Sequence, residues 1–315
     1  MNAPLPLSVS RSNPGAVEAV AKRSGVDCAD LARRLAAETE GEVLFDAASR
    51  GRYATDASIY QIMPLGVFVP KTQRDVANAI DIARSLQAPL LPRGGGSSQC
   101  GQTTGAALVI DTSKHLRKVL GFDKAALTVT VEPGIVLDAL NAWLKAHGLW
   151  FPVDVSTSAQ ATLGGMAGNN SCGSRSIAYG NMVHNVAGID AWLADGRLLS
   201  FGPVAGLGPV AREIAAFVHG LADQQRGEIE ARWPKLLRRV GGYNLDEAQR
   251  REGDIDIPGL GEHIGTVAAV QAIVAQATRD CVAAGSLPVD NIVAVVTRQQ
   301  ITSRAAEEKV IPRPA

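Results

Sequence analysis

Three consecutive glycines follow directly after a predicted strand. They favour folds in which a stretch of backbone without Cβ atoms passes close to another part of the protein or to a ligand. The segment reads Pro92-Arg93-Gly94-Gly95-Gly96-Ser97-Ser98-Gln99-Cys100-Gly101. Without Cβ atoms its N–H groups can converge on an anion, and a phosphate or diphosphate is the natural guest. A tight surface turn is the alternative, although one or two glycines would suffice for it.

The residues around these glycines exclude two common nucleotide motifs. GxGxxG does not occur in this region, and the Gly-Lys-Ser/Thr ending of a P-loop is missing. Arg93 precedes the glycines instead. Its guanidinium either supports the loop or the diphosphate, or is simply solvated.

A second glycine-rich segment reads Thr162-Leu163-Gly164-Gly165-Met166-Ala167-Gly168-Asn169-Asn170-Ser171-Cys172-Gly173-Ser174. Gly165 and Gly168, three residues apart, let the start of a helix press against another backbone, and several short polar side chains lie beside them. Close helix packing with caps would explain this segment alone. Two such segments in one chain favour a large, extended cofactor.

Strands and helices alternate around these segments, which predicts a mixed α and β fold. Thr72 with Asp75 three residues later is a capping signature, and Asp195-Gly196 suits a type I′ hairpin turn. Strands are predicted at 67–69, 89–92, 107–110, 119–122, 127–131, 186–193 and 197–199. Helices are predicted at 30–38, 76–86, 136–144, 209–225 and 265–284.

Composition excludes several classes of function. The 315 residues are 46% hydrophobic, enough for one large domain or two modest ones, and 31 basic and 31 acidic residues balance, so nothing indicates nucleic acid or an anionic membrane as partner. No apolar stretch approaches the ~20 residues of a membrane span and no secretory signal is present, so we expect a cytoplasmic protein with a small-molecule partner. The four cysteines and five histidines are scattered, and no metal site is expected.

Four strings occur in a characteristic order and spacing: 69–72 (Val-Pro-Lys-Thr), 92–98, 131–134 (Val-Glu-Pro-Gly) and 162–173. They resemble the FAD-binding domain of FAD-linked oxidases, the vanillyl-alcohol-oxidase or PCMH type. The strings 53–58 (Tyr-Ala-Thr-Asp-Ala-Ser) and 238–246 (Arg-Arg-Val-Gly-Gly-Tyr-Asn-Leu-Asp) resemble its D-lactate dehydrogenase branch, particularly long forms with an iron–sulfur domain. The resemblance covers roughly residues 43–246.

The resemblance implies an α+β fold of two α/β subdomains, one with a parallel sheet and one with a mixed or antiparallel sheet, with FAD between them. It also implies which residues bind FAD. Some relatives attach the flavin through a histidine in the diphosphate loop, and Ser97 stands at that position, so non-covalent FAD is expected. The implied cofactor-binding residues are Pro92, Arg93, Gly94, Gly95, Gly96, Ser97, Ser98, Pro152, Asp154, Thr162, Leu163, Gly164, Gly165, Gly168, Asn169, Asn170, Ser174, Tyr179, Gly180 and Val186.

The expected organisation is a helical leader over 1–60, the FAD-binding domain over 61–246, and a divergent, helical tail over 247–315. The family's Gly-Ser-Glu-Gly-Thr segment is not recognisable, since the nearest string, at 261–266, matches it in the outer residues but not in the central ones. The family's substrate-covering cap domain is not recognisable either, since the sequence ends at Ala315. No catalytic base can be assigned; His184 and Cys172 are better explained as ordinary packed or polar residues.

The implied function is oxidation of a 2-hydroxy acid such as D-lactate, glycolate or D-2-hydroxyglutarate, by hydride transfer to flavin N5. An electron-accepting partner or an iron–sulfur domain outside this chain is also implied. The alternatives are a non-catalytic FAD-binding remnant or subunit, and the NADPH-dependent peptidoglycan-precursor reductase that shares the domain. The string at 238–246 argues against the reductase.

Overall fold

The computed structural model describes residues 25–202 and 207–235, together with the backbone of 295–302 and 304–305. Within these ranges two main sheets, each with its own apolar core, form two subdomains, which confirms the predicted α+β architecture. The predicted helix at 265–284 and the string at 238–246 lie outside the described residues.

The first subdomain is a four-stranded sheet with helices packed against it. Its elements are α1 (Cys28–Glu38), β1 (Glu42–Leu44), α2 (Ala47–Arg52), β2 (Gly66–Val69), α3 (Gln73–Ser85), β3 (Leu90–Arg93) and β4 (Leu108–Asp111). The sheet order is β1-β2-β4-β3, in which β2, β4 and β3 are parallel and β1 is antiparallel to β2. Every residue of β2 and β4 is buried, as expected of parallel strands covered on both faces.

Local side-chain signals fix the helix starts of this subdomain. The Thr72 hydroxyl accepts the Asp75 N–H, and the Asp75 carboxylate accepts the Thr72 N–H, so the predicted capping box is confirmed.

Leu31 and Leu35 of α1 lie in the same core as Phe68 of β2. α1 is therefore part of this first core, and Val43 of β1 packs against it.

The second subdomain is an antiparallel sheet with helices packed against it. Its elements are β5 (Val119–Asp123), β6 (Thr128–Val131), α4 (Leu137–Lys145), β7 (Leu149–Trp150), α5 (Leu163–Gly168), α6 (Ser176–Tyr179), a 3₁₀ turn (Met182–His184), β8 (Val186–Trp192), β9 (Leu198–Phe201), α7 (Pro209–Gln224), α8 (Arg226–Arg232), β10 (Val295–Thr302) and β11 (Arg304–Ala305). The main sheet has the order β5-β6-β10-β8-β9, and β11 pairs with β7.

Two predictions in this subdomain are wrong. The tail predicted as helical contains β10, which pairs with both β6 and β8; the run Val295–Thr302 is rich in β-branched residues, and the sheet satisfies its backbone on both sides. The turn at Asp195-Gly196 is not type I′, because Asp195 does not have a positive φ. A bond from the Gly196 N–H to the Leu193 carbonyl closes the turn instead, and Gly196 alone takes a left-handed φ of 84°.

Candidate functional site

A cavity of about 590 Å³ lies between the glycine-rich segment after β3 and the segment that begins α5. This volume is within the range of small-molecule sites. Among the described residues that line it, Arg93 is the one ionisable group apart from Cys100 and Cys172, so the walls carry little charge.

The structure brings most of the predicted cofactor residues together at this cavity. Both glycine-rich segments contribute, one from each subdomain. The predicted residues that line it are Pro92, Arg93, Gly94, Gly95, Gly96, Ser97, Ser98, Thr162, Gly164, Gly165, Gly168, Asn169 and Asn170.

Seven predicted residues do not line the cavity: Pro152, Asp154, Leu163, Ser174, Tyr179, Gly180 and Val186. The side chains of Leu163 and Val186 are buried in the core of the second subdomain. Asp154 accepts the Ser174 hydroxyl at 2.7 Å and the Arg175 N–H at 3.1 Å, and Tyr179 packs edge-on against Trp150. A cofactor role for these seven stays a prediction.

Sequence reasoning missed part of the cavity wall. Pro133 belongs to the string at 131–134, and the short run Val-Ser-Thr at 155–157 follows β7, so both carried a weak signal. Some of the others belong to the two glycine-rich segments themselves, although they were not among the predicted cofactor residues: Gln99, Cys100, Met166, Ser171 and Cys172. Gln102, Thr103, Thr112 and Ala161 come close only through the fold. The missed residues are Gln99, Cys100, Gln102, Thr103, Thr112, Pro133, Val155, Ser156, Thr157, Ala161, Met166, Ser171 and Cys172.

Gly94 and Gly95 allow the two segments to approach each other closely. A Cβ on Gly94 would overlap the Thr162 hydroxyl, and a Cβ on Gly95 would overlap the Gln160 carbonyl oxygen. The backbone N–H groups of 95–99 have no hydrogen-bond partner in the described part of the chain. Unpaired amides beside a cavity suit an anionic ligand, so this wall fits the diphosphate of a dinucleotide.

Asn170 is held in an unusual backbone conformation at the opposite wall. Its φ is 45°, in the left-handed region, and its Oδ1 accepts the Val183 N–H at 3.0 Å. Its Nδ2 is buried and has no hydrogen-bond partner among the described residues. Such strain and an orphaned donor are typical of ligand sites, because a bound acceptor would satisfy the amide.

A partly buried polar network lies behind the first glycine-rich segment. The Tyr53 hydroxyl donates to Asp111 Oδ2 at 2.7 Å, and burial, with this bond to Asp111, raises the pKa of Tyr53. The Arg93 guanidinium lies 5.2 Å from the centre of the Tyr53 ring. Burial lowers the pKa of Arg93, and the negative charge of Asp111 opposes this shift.

Comparison with known proteins identifies the domain. Residues 64–202 match the FAD binding domain family. This stretch of the chain belongs to that family. The match includes both glycine-rich segments and all the residues that line the cavity, and FAD is therefore the cofactor of this domain.

Curated relatives carry the names of 2-hydroxy acid dehydrogenases and oxidases. D-2-hydroxyglutarate dehydrogenase of Pseudomonas putida is 34% identical over 229 residues, which cover 69% of this chain and 23% of the relative. Glycolate oxidase subunit GlcD of Bacillus subtilis is 33% identical, over 57% of this chain and 38% of that subunit. Mitochondrial D-lactate dehydrogenase (cytochrome) of Kluyveromyces lactis is 33% identical, over 42% of this chain and 23% of that enzyme. The chain thus spans well under half the length of these relatives.

Solved structures share the fold. Alkyldihydroxyacetonephosphate synthase superposes with a TM-score of 0.55 at 15% sequence identity, over 88% of this chain and 40% of that one. At this level of identity the likeness concerns the architecture alone. In the described ranges, no helix has the length and apolar character that a membrane crossing requires.

Proposed function

We propose that this chain holds FAD for the oxidation of a 2-hydroxy acid of the D-lactate, glycolate or D-2-hydroxyglutarate class. The observation that carries the proposal is the FAD binding domain over 64–202 combined with relatives named for those three substrates. A small, nearly uncharged cavity supports a small-molecule partner.

The first glycine-rich segment would hold the diphosphate, and the second would line the rest of the dinucleotide. The unpaired N–H groups of 95–99 supply donors without a counter-charge, which suits an anion taken out of water. On the other wall, Asn170 offers a buried amide donor. The remaining predicted residues, from Pro152 to Val186, would extend the binding surface beyond the cavity.

FAD, when bound, supplies the hydride acceptor at flavin N5. This part of the chain binds and orients the cofactor. Among the described residues that line the cavity there is no histidine, lysine, aspartate or glutamate to take the hydroxyl proton of a 2-hydroxy acid. The base and the group that binds the substrate carboxylate would come from the portion of the enzyme that the relatives possess beyond the matched length, or from a partner subunit.

The lack of a base on these walls also favours a second candidate, an FAD-holding subunit that does not turn over alone. One experiment separates the two. The purified chain is loaded with FAD and mixed without oxygen with D-2-hydroxyglutarate, D-lactate or glycolate, while the visible flavin absorbance is followed. Bleaching by one of these acids supports the oxidoreductase; stable flavin absorbance with all three supports the subunit.

We further propose that the FAD is not covalently attached. Ser97 has no ring nitrogen with which to bond the flavin, and no histidine lines the cavity within the described residues. Acid precipitation of the loaded protein should release all flavin into the supernatant. Flavin that remains in the pellet would contradict this, and the thiols of Cys100 and Cys172, which line the cavity, would then be the first attachment points to test.

A further inference from the structure

The guanidinium of Arg93 donates its hydrogen bonds to backbone carbonyl groups. Nη1 donates to the carbonyl oxygens of Tyr53 at 3.2 Å and Thr103 at 3.0 Å, and Nη2 donates to that of Thr55 at 2.9 Å. A guanidinium has five N–H donors in a fixed planar fork. Arg93 therefore uses most of its donors on two chain segments that lie behind the glycine-rich loop.

The same guanidinium lies directly against the glycine-rich loop itself. Gly96 has a φ of 65°, and a Cβ built on it would come within 2.5 Å of Nη2 of Arg93. On its other side the guanidinium faces the Tyr53 ring. The side chain is thus enclosed by the loop that it precedes and by the segment 53–55.

Further bonds join the same segments. The Ala57 N–H donates to the Gly96 carbonyl at 3.2 Å, and the Thr103 hydroxyl donates to Asp56 Oδ2 at 3.1 Å. The segment 53–57, the glycine-rich loop and the return at 101–104 consequently form one unit, and Arg93 contacts all three.

We propose that Arg93 is a positioning residue, which fixes the loop so that the N–H groups of 95–99 converge on the cofactor diphosphate, and which does not bind the phosphates itself. This inference rests on the FAD binding proposed above. A loop already held in its bound geometry loses less entropy when the ligand arrives, so Arg93 raises affinity without a contact to FAD.

Replacement by lysine tests the proposal, because lysine keeps the charge but lacks the planar fork whose two nitrogens reach the three carbonyl groups. We expect Arg93→Lys and Arg93→Ala to weaken FAD binding by similar factors, about tenfold, the loss of one charge-assisted bond. The measurement is titration of flavin-free protein with FAD, followed by flavin fluorescence at low and high salt. Arg33→Ala, which removes an exposed positive charge from α1, is the matched control and should bind FAD like the wild type.

A direct phosphate contact would give a different pattern. Lysine would then keep most of the affinity, and the loss caused by alanine would shrink at high salt, because added ions screen a charge–phosphate attraction. Either result overturns the proposal. Failure of the wild-type chain to bind FAD would instead overturn the proposed function, so the two failures are distinguishable.

Amide hydrogen exchange separates positioning from general destabilisation. In both Arg93 variants the amide of Ala57, which donates to the Gly96 carbonyl of the loop, should exchange at least tenfold faster, while those of β4 stay unchanged. Equal acceleration in both places would overturn the proposal. If neither Arg93 variant folds, Tyr53→Phe keeps the ring against Arg93 and removes the bond by which the segment 53–55 is anchored to Asp111. Because Arg93 positions the loop through carbonyl groups of this segment, the variant should weaken FAD binding several-fold with the same local exchange pattern, and unchanged binding and exchange would overturn the proposal.

Discussion

Among single residues, Asn170 combines backbone strain with a structural hydrogen bond. Alanine at this position would keep the left-handed φ of 45° without a side chain that favours it, and would leave the buried Val183 N–H without an acceptor. We expect Asn170→Ala to lower the free energy of unfolding by about 2–3 kcal/mol and Asn170→Gly by about 1 kcal/mol, because glycine removes the strain but not the lost bond. Urea denaturation measures both.

The neighbouring residue supplies the control for this prediction. Asn169 is exposed, has a φ of −92° and donates from Nδ2 to the Ser171 hydroxyl at 3.0 Å, so Asn169→Ala should lower the unfolding free energy by no more than about 1 kcal/mol. Equal losses in Asn170→Ala and Asn170→Gly would show that the left-handed backbone contributes nothing.

Glu42 makes the free energy of unfolding depend on pH. Its carboxylate contacts Lys114 Nζ at 2.8 Å and His115 Nε2 at 2.7 Å, and these bonds, Lys114 first, lower its pKa. A lowered pKa in the folded state stabilises the protein above the unfolded-state pKa, which is about 4.3 for glutamate, and this contribution is lost as the pH falls through the folded value. Glu42→Gln should therefore destabilise the protein near neutral pH by no more than about 1 kcal/mol, with the difference disappearing in acid.

Unfolding midpoints measured from neutral to acidic pH test this prediction. Glu40→Gln, which removes an exposed carboxylate that forms no ion pair among the described residues, should run parallel to the wild type throughout. A Glu42→Gln difference that persists unchanged below the folded pKa would contradict the assignment.

Sequence predicted residue-level features well where both partners lie within one turn of chain. The capping box of Thr72 and Asp75 is of this kind, because the interacting groups are neighbours in sequence. The close contacts of Gly94 and Gly95 with residues 160–162 could not be predicted, since the atoms that forbid a Cβ come from a distant segment. The sequence predicted that these glycines lie near a ligand but could not reveal that they also let two loops touch.

Among the secondary-structure elements, β10 is the one whose disruption should destabilise the protein most, because it is a central strand. Gln299 pairs with Val131 of β6 on one side and Ile189 of β8 on the other, so the strand lies in the middle of the sheet. Proline there removes a ladder hydrogen bond and cannot be accommodated as at an edge. We expect Gln299→Pro to lower the free energy of unfolding by about 3 kcal/mol or more.

The edge strand β5 offers a matched control for the proline substitution. Leu120 lies at a register irregularity between Val119 and Gly121 and has no cross-strand partner in the pairing of β5 with β6. Leu120→Pro should cost less than about 1 kcal/mol. Equal losses from the two prolines, measured by urea denaturation, would show that β10 is not a central strand.

Helices and strands were predicted correctly where hydrophobic periodicity is strong. The prediction failed where a strand forms only because it pairs with strands that are distant in sequence. The amphipathic helices and buried parallel strands of the first subdomain follow from apolar spacing alone. β10 was missed because its backbone is satisfied by strands more than a hundred residues away in sequence, and such pairing leaves little local pattern.

The whole molecule depends on how its two subdomains meet. At the cavity, Gly95 of the first subdomain contacts the Gln160 carbonyl, which precedes the core residues Ala161 and Leu163 of the second. Farther away, Arg84 of α3 donates to the Asp195 carbonyl at 2.7 Å in the turn between β8 and β9. Because the cofactor cavity has one wall from each subdomain, only the first of these contacts sets its width.

Substitutions at the two contacts should therefore differ in their effect on cofactor binding. Gly95→Ala would push its new methyl group into the Gln160 main chain, which cannot move aside as a side chain can, so the two walls of the cavity must separate. We expect at least about tenfold weaker FAD binding and a loss of about 1–3 kcal/mol in the free energy of unfolding. Arg84→Ala loosens the distant contact and should leave the FAD dissociation constant within about twofold of the wild type, since it removes one exposed hydrogen bond. Fluorescence titration with FAD and urea denaturation of both variants test this prediction. If Arg84→Ala weakens FAD binding as much as Gly95→Ala does, FAD affinity depends on how the subdomains dock in general and not on the width of the cavity.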